Sequence, residues 1–197
     1  VIYALLASKN SISAIESNNK KSWWKKIFLR HHYYFDTNKH IVYNNLQPLE
    51  KLKIPTDDVG DFPTFNQHAL DKVQIILNKL DIKEFILFHP SAQYDYKIYP
   101  KHLRDQLLNL LNTLGIPILV TGADNKFDVE IKESLPILAN IHNLIGKTTL
   151  EEYFALSYLS MAYLGMDTLN MHIAAVQNKR IFAIFGPTNL KMWAPWS

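Results

Sequence analysis

Phe85-Ile86-Leu87-Phe88-His89, closed by Pro90-Ser91-Ala92, decides how this chain folds. The run is short, apolar up to its last residue and stopped by a proline, so it reads as a buried strand that empties into a polar turn. Outward from it the pattern repeats. Residues 101–114 carry Leu103, Leu107, Leu110, Leu111 and Leu114 at helical spacing, with Pro100 before and Gly115 after, the favoured order of the two at helix ends. Residues 116–121 form a second apolar strand, 128–134 a short helix and 141–145 a third strand. Thr149-Leu150-Glu151-Glu152 is a capping box opening a helix that runs to about Ser157. Residues 161–166 then read as a strand, 168–177 as a helix and 180–185 as a fifth strand ended by Gly186-Pro187. Upstream, 68–80 reads as a helix with Leu70, Val73, Leu77 and Leu80 on one face. Strands alternating with helices build βαβ units, hence a parallel sheet with helices on both faces: an α/β, Rossmann-like fold. Right-handed crossovers put the C-terminal end of every strand on one edge, where ligands bind in such sheets.

The turns after the strands are therefore the candidate site. After the first stand Ser91 and, further on, Lys97; after the second, Thr121-Gly122-Ala123-Asp124; after the third, Gly146-Lys147-Thr148-Thr149; after the fourth, Asp167-Thr168 with His172; after the fifth, Gly186-Pro187-Thr188. Hydroxyls, small residues, a lysine and a helix N-terminus on one rim are the chemistry of a polyphosphate site. Each residue also has a plainer reading. Asp167 can be only a helix cap, His172 only a packed helical histidine, and Lys97 only a surface lysine among Tyr94, Tyr96 and Tyr99.

Other chemistries are absent from the pattern. Gly146-Lys147-Thr148 is not a P-loop, because Ile141 stands where the first glycine is required. Neither Gly-x-Ser-x-Gly nor Gly-x-Gly-x-x-Gly occurs, and His31-His32 has no carboxylates at ligand spacing, so no metal site is expected.

The rest of the composition bounds the setting. The 197 residues are 48% hydrophobic and 20% charged, enough to bury a core. The net charge of +3 calls for no nucleic-acid partner. The apolar run 181–185 is far too short to cross a bilayer, and the first residues do not read as a secretory leader. With no cysteine there are no disulfides or thiolate metal sites, in keeping with the cytoplasm. Residues 1–80 read irregularly, with apolar stretches at 2–6 and 41–43 and a turn-rich linker at 56–61 between Pro55 and Pro63. Within them Lys20-Lys21-Ser22-Trp23-Trp24-Lys25-Lys26 leads to Arg30-His31-His32-Tyr33-Tyr34. This stretch is a solvated loop whose aromatics pack elsewhere or, as the alternative, a surface that meets anionic lipid or a phosphorylated acceptor.

In order along the chain, His-Pro-Ser-Ala (89–92), Lys-x-x-Pro (97–100), Thr-Gly (121–122), Asn-Leu-x-Gly-Lys-Thr-x-Leu-x-Glu (143–152), Asp-Thr-x-x-x-His-x-Ala-Ala (167–175), Phe-Gly-Pro-Thr (185–188) and Trp-x-Pro-Trp (193–196) resemble the heptosyltransferases of glycosyltransferase family 9. The likeness spans residues 84–197. It implies a GT-B fold, in which a C-terminal domain binds a nucleotide-sugar donor, usually ADP-L-glycero-D-manno-heptose. An N-terminal domain then binds the acceptor, the inner core of lipopolysaccharide, at the cytoplasmic side of the inner membrane. On this basis residues 1–80 are expected to be the tail of the acceptor domain and its linker, and 81–197 an incomplete donor domain. The reaction implied is inverting and needs no metal or cofactor; its carboxylate base is expected upstream of Val1, so the fragment alone should be inactive. Lys97 matches the phosphate-contacting lysine, and Asp167, Thr168 and His172 match the motif at the diphosphate. Asp124 or Asp128 lies near the ribose contact, with Lys126 in that slot. Leu169 departs from the family's glycine and leaves two alternatives: another nucleotide sugar as donor, or a non-catalytic homologue that binds one.

Overall fold

The computed structural model describes residues 3, 6, 8, 10–16, 22–56 and 64–196. The turn-rich linker expected at 56–61 lies, apart from Thr56, outside them, as do Lys20, Lys21 and all of the 2–6 stretch except Tyr3 and Leu6. The chain divides into two compact units, Val1–Asp61 with Asn189–Ala194, and Phe62–Thr188 with Pro195–Ser197.

In the first unit β1 (Ile12–Glu16) and β2 (His31–Phe35) pair in parallel, Ile12 beside His31 and Glu16 beside Phe35. α1 (Trp23–Phe28) connects them and α2 (Ile41–Lys51) comes next. The basic, aromatic stretch is thus mostly a helix and a strand rather than a loop. His31-His32-Tyr33-Tyr34-Phe35 is β-prone, and no glycine or proline interrupts 22–35. The lysines turn back onto the unit: Lys25 Nζ donates to Ala14 O at 3.2 Å, and Lys26 Nζ to Tyr34 Oη at 2.9 Å. The 41–43 stretch is the first turn of α2. Asn44, fully buried, accepts from Asp36 N (2.9 Å) and donates to Asp36 O (3.0 Å), which pins α2 against the end of β2.

The second unit is a five-stranded parallel sheet in the order β5-β4-β3-β6-β7, built from β3 (Ile86–His89), β4 (Ile118–Val120), β5 (Ile141–Asn143), β6 (Ala162–Met166) and β7 (Arg180–Ile184). Around it lie α3 (Gln67–Lys79), α4 (Lys101–Asn112), α5 (Lys126–Glu133), α6 (Leu150–Leu159) and α7 (Leu169–Val176). The last described helix, α8 (Leu190–Trp193), is grouped with the first unit. One layer of core joins Phe85, Leu87 and Leu119 to Val73 and Leu77 of α3 and to Tyr153 and Leu156 of α6. The opposite face of the sheet buries Phe88, Ile118 and Val120 with Leu108 of α4 and Ile131 of α5. Side chains alternate between these layers along β3, as strand geometry demands. Because α3 supplies part of the first layer, the compact unit begins at Phe62, ahead of the boundary at 81 read from the sequence.

Two polar devices hold the helices. Arg104, 2% exposed, donates from Nη2 to Ser134 O (2.9 Å) and Ser134 Oγ (3.1 Å), tying α4 to the end of α5 while Asp105 neutralises it. The capping box read at the start of α6 forms as expected: Glu152 N donates to Thr149 Oγ1 (3.2 Å) and Thr149 N to Glu152 Oε2 (2.8 Å). These bonds, together with Lys72 at 3.1 Å, hold the Glu152 carboxyl below its usual range against the effect of its burial. At Gly165 the strands β6 and β3 leave no room for a side chain: a Cβ there would sit 2.4 Å from His89 O and 2.8 Å from Tyr163 Oη.

Candidate functional site

The sheet order reverses between β3 and β6. Chain connections leave in opposite directions there, so a crevice opens outside their C-terminal ends. A pocket of about 450 Å³ occupies this crevice, lined by residues of the turns after β3, β4, β5 and β6. Its size is that of a small-molecule site.

Four of the polar residues picked from the sequence line it. Ser91, 3% exposed, follows β3; Asp167 and Thr168 follow β6; Lys97 ends a single 3₁₀ turn, Asp95–Lys97. Lys97 Nζ stands 3.5 Å from Asp167 Oδ2, both side chains being largely buried. Thr168 occupies the N-cap position of α7, yet its side chain makes no cap bond. A helix start leaves its first amides without intrahelical acceptors, and at α7 the cap side chain takes none of them. The contrast with α6 is direct. There the box of Thr149 and Glu152 occupies two amides at the start of α6, whereas at α7 the cap side chain takes none and the terminus is open to an anion. Lys97 and these amides are donors only, and they face the same space.

Gly122 also lines the pocket; a Cβ on it would reach 3.0 Å from Asp128 Cγ, so the loop after β4 needs its bare backbone. Asp128, buried and lining the pocket, accepts from Ala123 N at 2.8 Å through Oδ2. Of the two acidic residues read near the ribose position, Asp128 is the one at the pocket. Asp124 is exposed and outside the lining, because the loop turns at Asn125 to cap α5 through Asn125 Oδ1 and Asp128 N (3.1 Å).

Four other expected residues are placed elsewhere. Thr121, 1% exposed, uses its hydroxyl beneath the rim, donating to Phe88 O (3.4 Å) and meeting His89 Nδ1 (3.3 Å), so it braces two strands. His172, one turn into α7, is half-buried and is not part of the lining. Gly186 and Thr188 follow β7 and are outside the lining; a Cβ on Gly186 would be 4.0 Å from Lys97 Cγ, which makes it a neighbour of the pocket rather than a wall.

Several lining residues escaped the sequence reading. Tyr94 sits in the turn after β3 and Asn170 in the first turn of α7. Tyr153 lies four residues after the Thr149 cap, and that spacing could have placed it under the β5 turn. His89 lines the floor. Desolvation by burial lowers its pKa from 6.5 to about 4, outweighing the opposing pull of Asp128, so its ring is neutral at pH 7. Leu169, 59% exposed, edges the pocket without filling it.

Comparison with known proteins bears on this geometry. A family model described as glycosyltransferase family 9 (heptosyltransferase) matches residues 6–197. The chain belongs to glycosyltransferase family 9. Among curated family relatives, lipopolysaccharide heptosyltransferase 3 of Escherichia coli K12 is 25% identical over 162 residues, covering 80% of this chain and 47% of that protein. Among solved structures, the family 9 glycosyltransferase of Veillonella parvula superposes with a TM-score of 0.74 at 15% identity, covering 98% of this chain and 62% of the other. The E. coli heptosyltransferase WaaC, solved with ADP, gives 0.62 at 19% identity over 88% of this chain and 53% of its own. The fold is therefore the α/β, GT-B-type fold of these family members. The chain spans about half the length of the curated relative, 47% of it. Among the described residues no helix is long and apolar enough to cross a membrane, and no group of three or more His, Asp or Glu could hold a metal ion.

Proposed function

We propose that the protein containing this chain is an inverting glycosyltransferase that moves a heptose from ADP-heptose to the inner core of lipopolysaccharide, and that residues 62–188 hold the donor. The observation that carries this is the open α7 terminus at Thr168 beside the Lys97–Asp167 pair, 3.5 Å apart, at the point where the strand order reverses. The diphosphate lies against Lys97 and the first amides of α7, with Asp167 keeping the lysine in place. Ser91 stands beside it, and the nucleoside extends toward the β4 loop at Gly122 and Asp128. When the sugar leaves its diphosphate, negative charge grows on the leaving phosphate oxygen, and donors already aimed at that place lower the barrier. The acceptor hydroxyl is deprotonated by a carboxylate that we assign to no residue of this chain. ADP as the nucleotide rests on the relatives: one family neighbour is a heptosyltransferase solved with ADP.

Leu169 favours keeping a second reading, a nucleotide sugar other than ADP-heptose. Its side chain stands at the pocket edge, next to the amides that would receive the diphosphate. Calorimetry with ADP, UDP and GDP separates the two. Tightest binding of ADP supports the first, tightest binding of UDP or GDP the second, and no binding of any of them removes the donor site altogether. The same proposal places the protein in the cytoplasm with peripheral contact at the inner membrane, where Trp23, Ile27 and Phe28, all exposed beside Lys26 on α1, would meet anionic lipid. Equal co-sedimentation with neutral and anionic vesicles would remove that contact.

A further inference from the structure

The loop between β3 and α4 carries a feature that the diphosphate site does not use. Tyr94 and Tyr96 are stacked, their ring centroids 5.6 Å apart and their planes 17° from parallel. Both are largely in solvent, 52% and 66% exposed. Tyr99, a few residues on, packs into the core beside Phe88 and Leu108, so the loop does have apolar space available to it and leaves these two rings outside. Tyr94 lines the pocket. Its backbone is fixed to the phosphate-side lysine, because Lys97 N donates to Tyr94 O at 2.9 Å and closes the 3₁₀ turn. The main chain at Tyr94 therefore stands at a set distance from that of Lys97, and Lys97 is itself held by Asp167.

We propose that the Tyr94–Tyr96 pair is an aromatic platform for the sugar ring of the bound nucleotide sugar, with Tyr94 making the contact and Tyr96 backing it. The inference rests on the donor-site reading above and adds the residues that recognise the sugar. A pyranose presents a face of C–H groups that is apolar, and a tyrosine ring offers a flat, electron-rich, rigid surface that covers it with little loss of side-chain freedom. The sugar of a nucleotide sugar is joined to the terminal phosphate. A group next to Lys97 but beyond its charge is thus where the sugar falls. Stacking of one ring on another stiffens the contact surface before the ligand arrives.

The test compares ADP with ADP-heptose by calorimetry on the intact protein. Tyr94→Ala is expected to weaken ADP-heptose binding about tenfold while ADP changes less than about twofold, in line with the size of a stacking contact. Tyr94→Phe, which keeps the ring, should bind both ligands as the native protein does, and Tyr96→Ala should lose about threefold for ADP-heptose alone. Because both rings are exposed, the melting temperature of each variant should stay within about 2 °C of the native value, which separates lost contact from lost structure. Equal weakening of ADP and ADP-heptose in Tyr94→Ala overturns the platform, as does no weakening of either. If the native protein binds neither ligand, the donor-site reading fails, and the platform fails with it.

Discussion

His89 ends β3 with one ring nitrogen on Thr121 and its imidazole at the pocket floor, and burial lowers its pKa to about 4. The unfolded chain takes up a proton near pH 6.5 that the folded chain refuses. Stability is therefore complete above pH 6.5, falls as the pH drops to about 4 and levels off below that. The shift corresponds to about 3 kcal/mol. Urea unfolding of His89→Gln should show a flatter stability profile across this window; an unchanged slope would place the titration elsewhere. At Gly165 the constraint is steric. Alanine would put a carbon 2.4 Å from a backbone oxygen of the neighbouring strand, which no side-chain rotation relieves. Gly165→Ala should cost about 3 kcal/mol or prevent folding, measured by denaturant midpoint. Lys97 carries the ligand prediction: Lys97→Met should reduce ADP affinity at least about tenfold, measured by calorimetry on the folded variant, since a charge-assisted contact is worth about 1.5–3 kcal/mol. Lys97, Asp167 and Thr168 line the pocket, as their places after strands on the ligand edge suggested. Thr121 and His172 are outside the lining, because the end of a strand has an inner and an outer side, and residue order alone does not say which side a hydroxyl or an imidazole takes. For Asp124 and Asp128 the deciding fact is the Asn125 cap, which turns one carboxylate inward and the other out.

Among the elements, α6 and α7 each follow a strand of the sheet and differ in how they begin. Thr149→Ala should destabilise the protein by about 1 kcal/mol through loss of the cap, read as a fall in melting temperature. Thr168→Ala should leave stability nearly unchanged, because no cap bond is lost. A large fall in melting temperature for the second variant would show that the α7 terminus is closed after all. The five strands of the sheet were readable as apolar runs between proline and glycine stops, and the leucine rows marked their helices. The first unit was harder. β1 is flanked by polar, Asn- and Lys-rich sequence, and His31-His32-Tyr33-Tyr34-Phe35 carries little of the alternation that marks a half-buried strand. The two lysines of α1 looked solvated in sequence, but their amines turn back onto Ala14 and Tyr34.

At the scale of the whole molecule, the second unit carries both layers of core and every residue that lines the donor pocket. A fragment of residues 62–197 should fold cooperatively and bind ADP within about threefold of the intact chain, a difference well under 1 kcal/mol. Loss of binding in a folded fragment would mean that the first unit contributes to the nucleotide site. The order β5-β4-β3-β6-β7 also has a kinetic consequence. β3 and β6 are neighbours in space, but β4 and β5 with their helices lie between them in the chain, so Lys97 and Asp167 meet only after a long loop has closed. Closing such loops is slow, and contacts that span them form late. Ligand should then grip only the finished sheet: added ADP should leave the refolding rate untouched and act entirely by holding back unfolding.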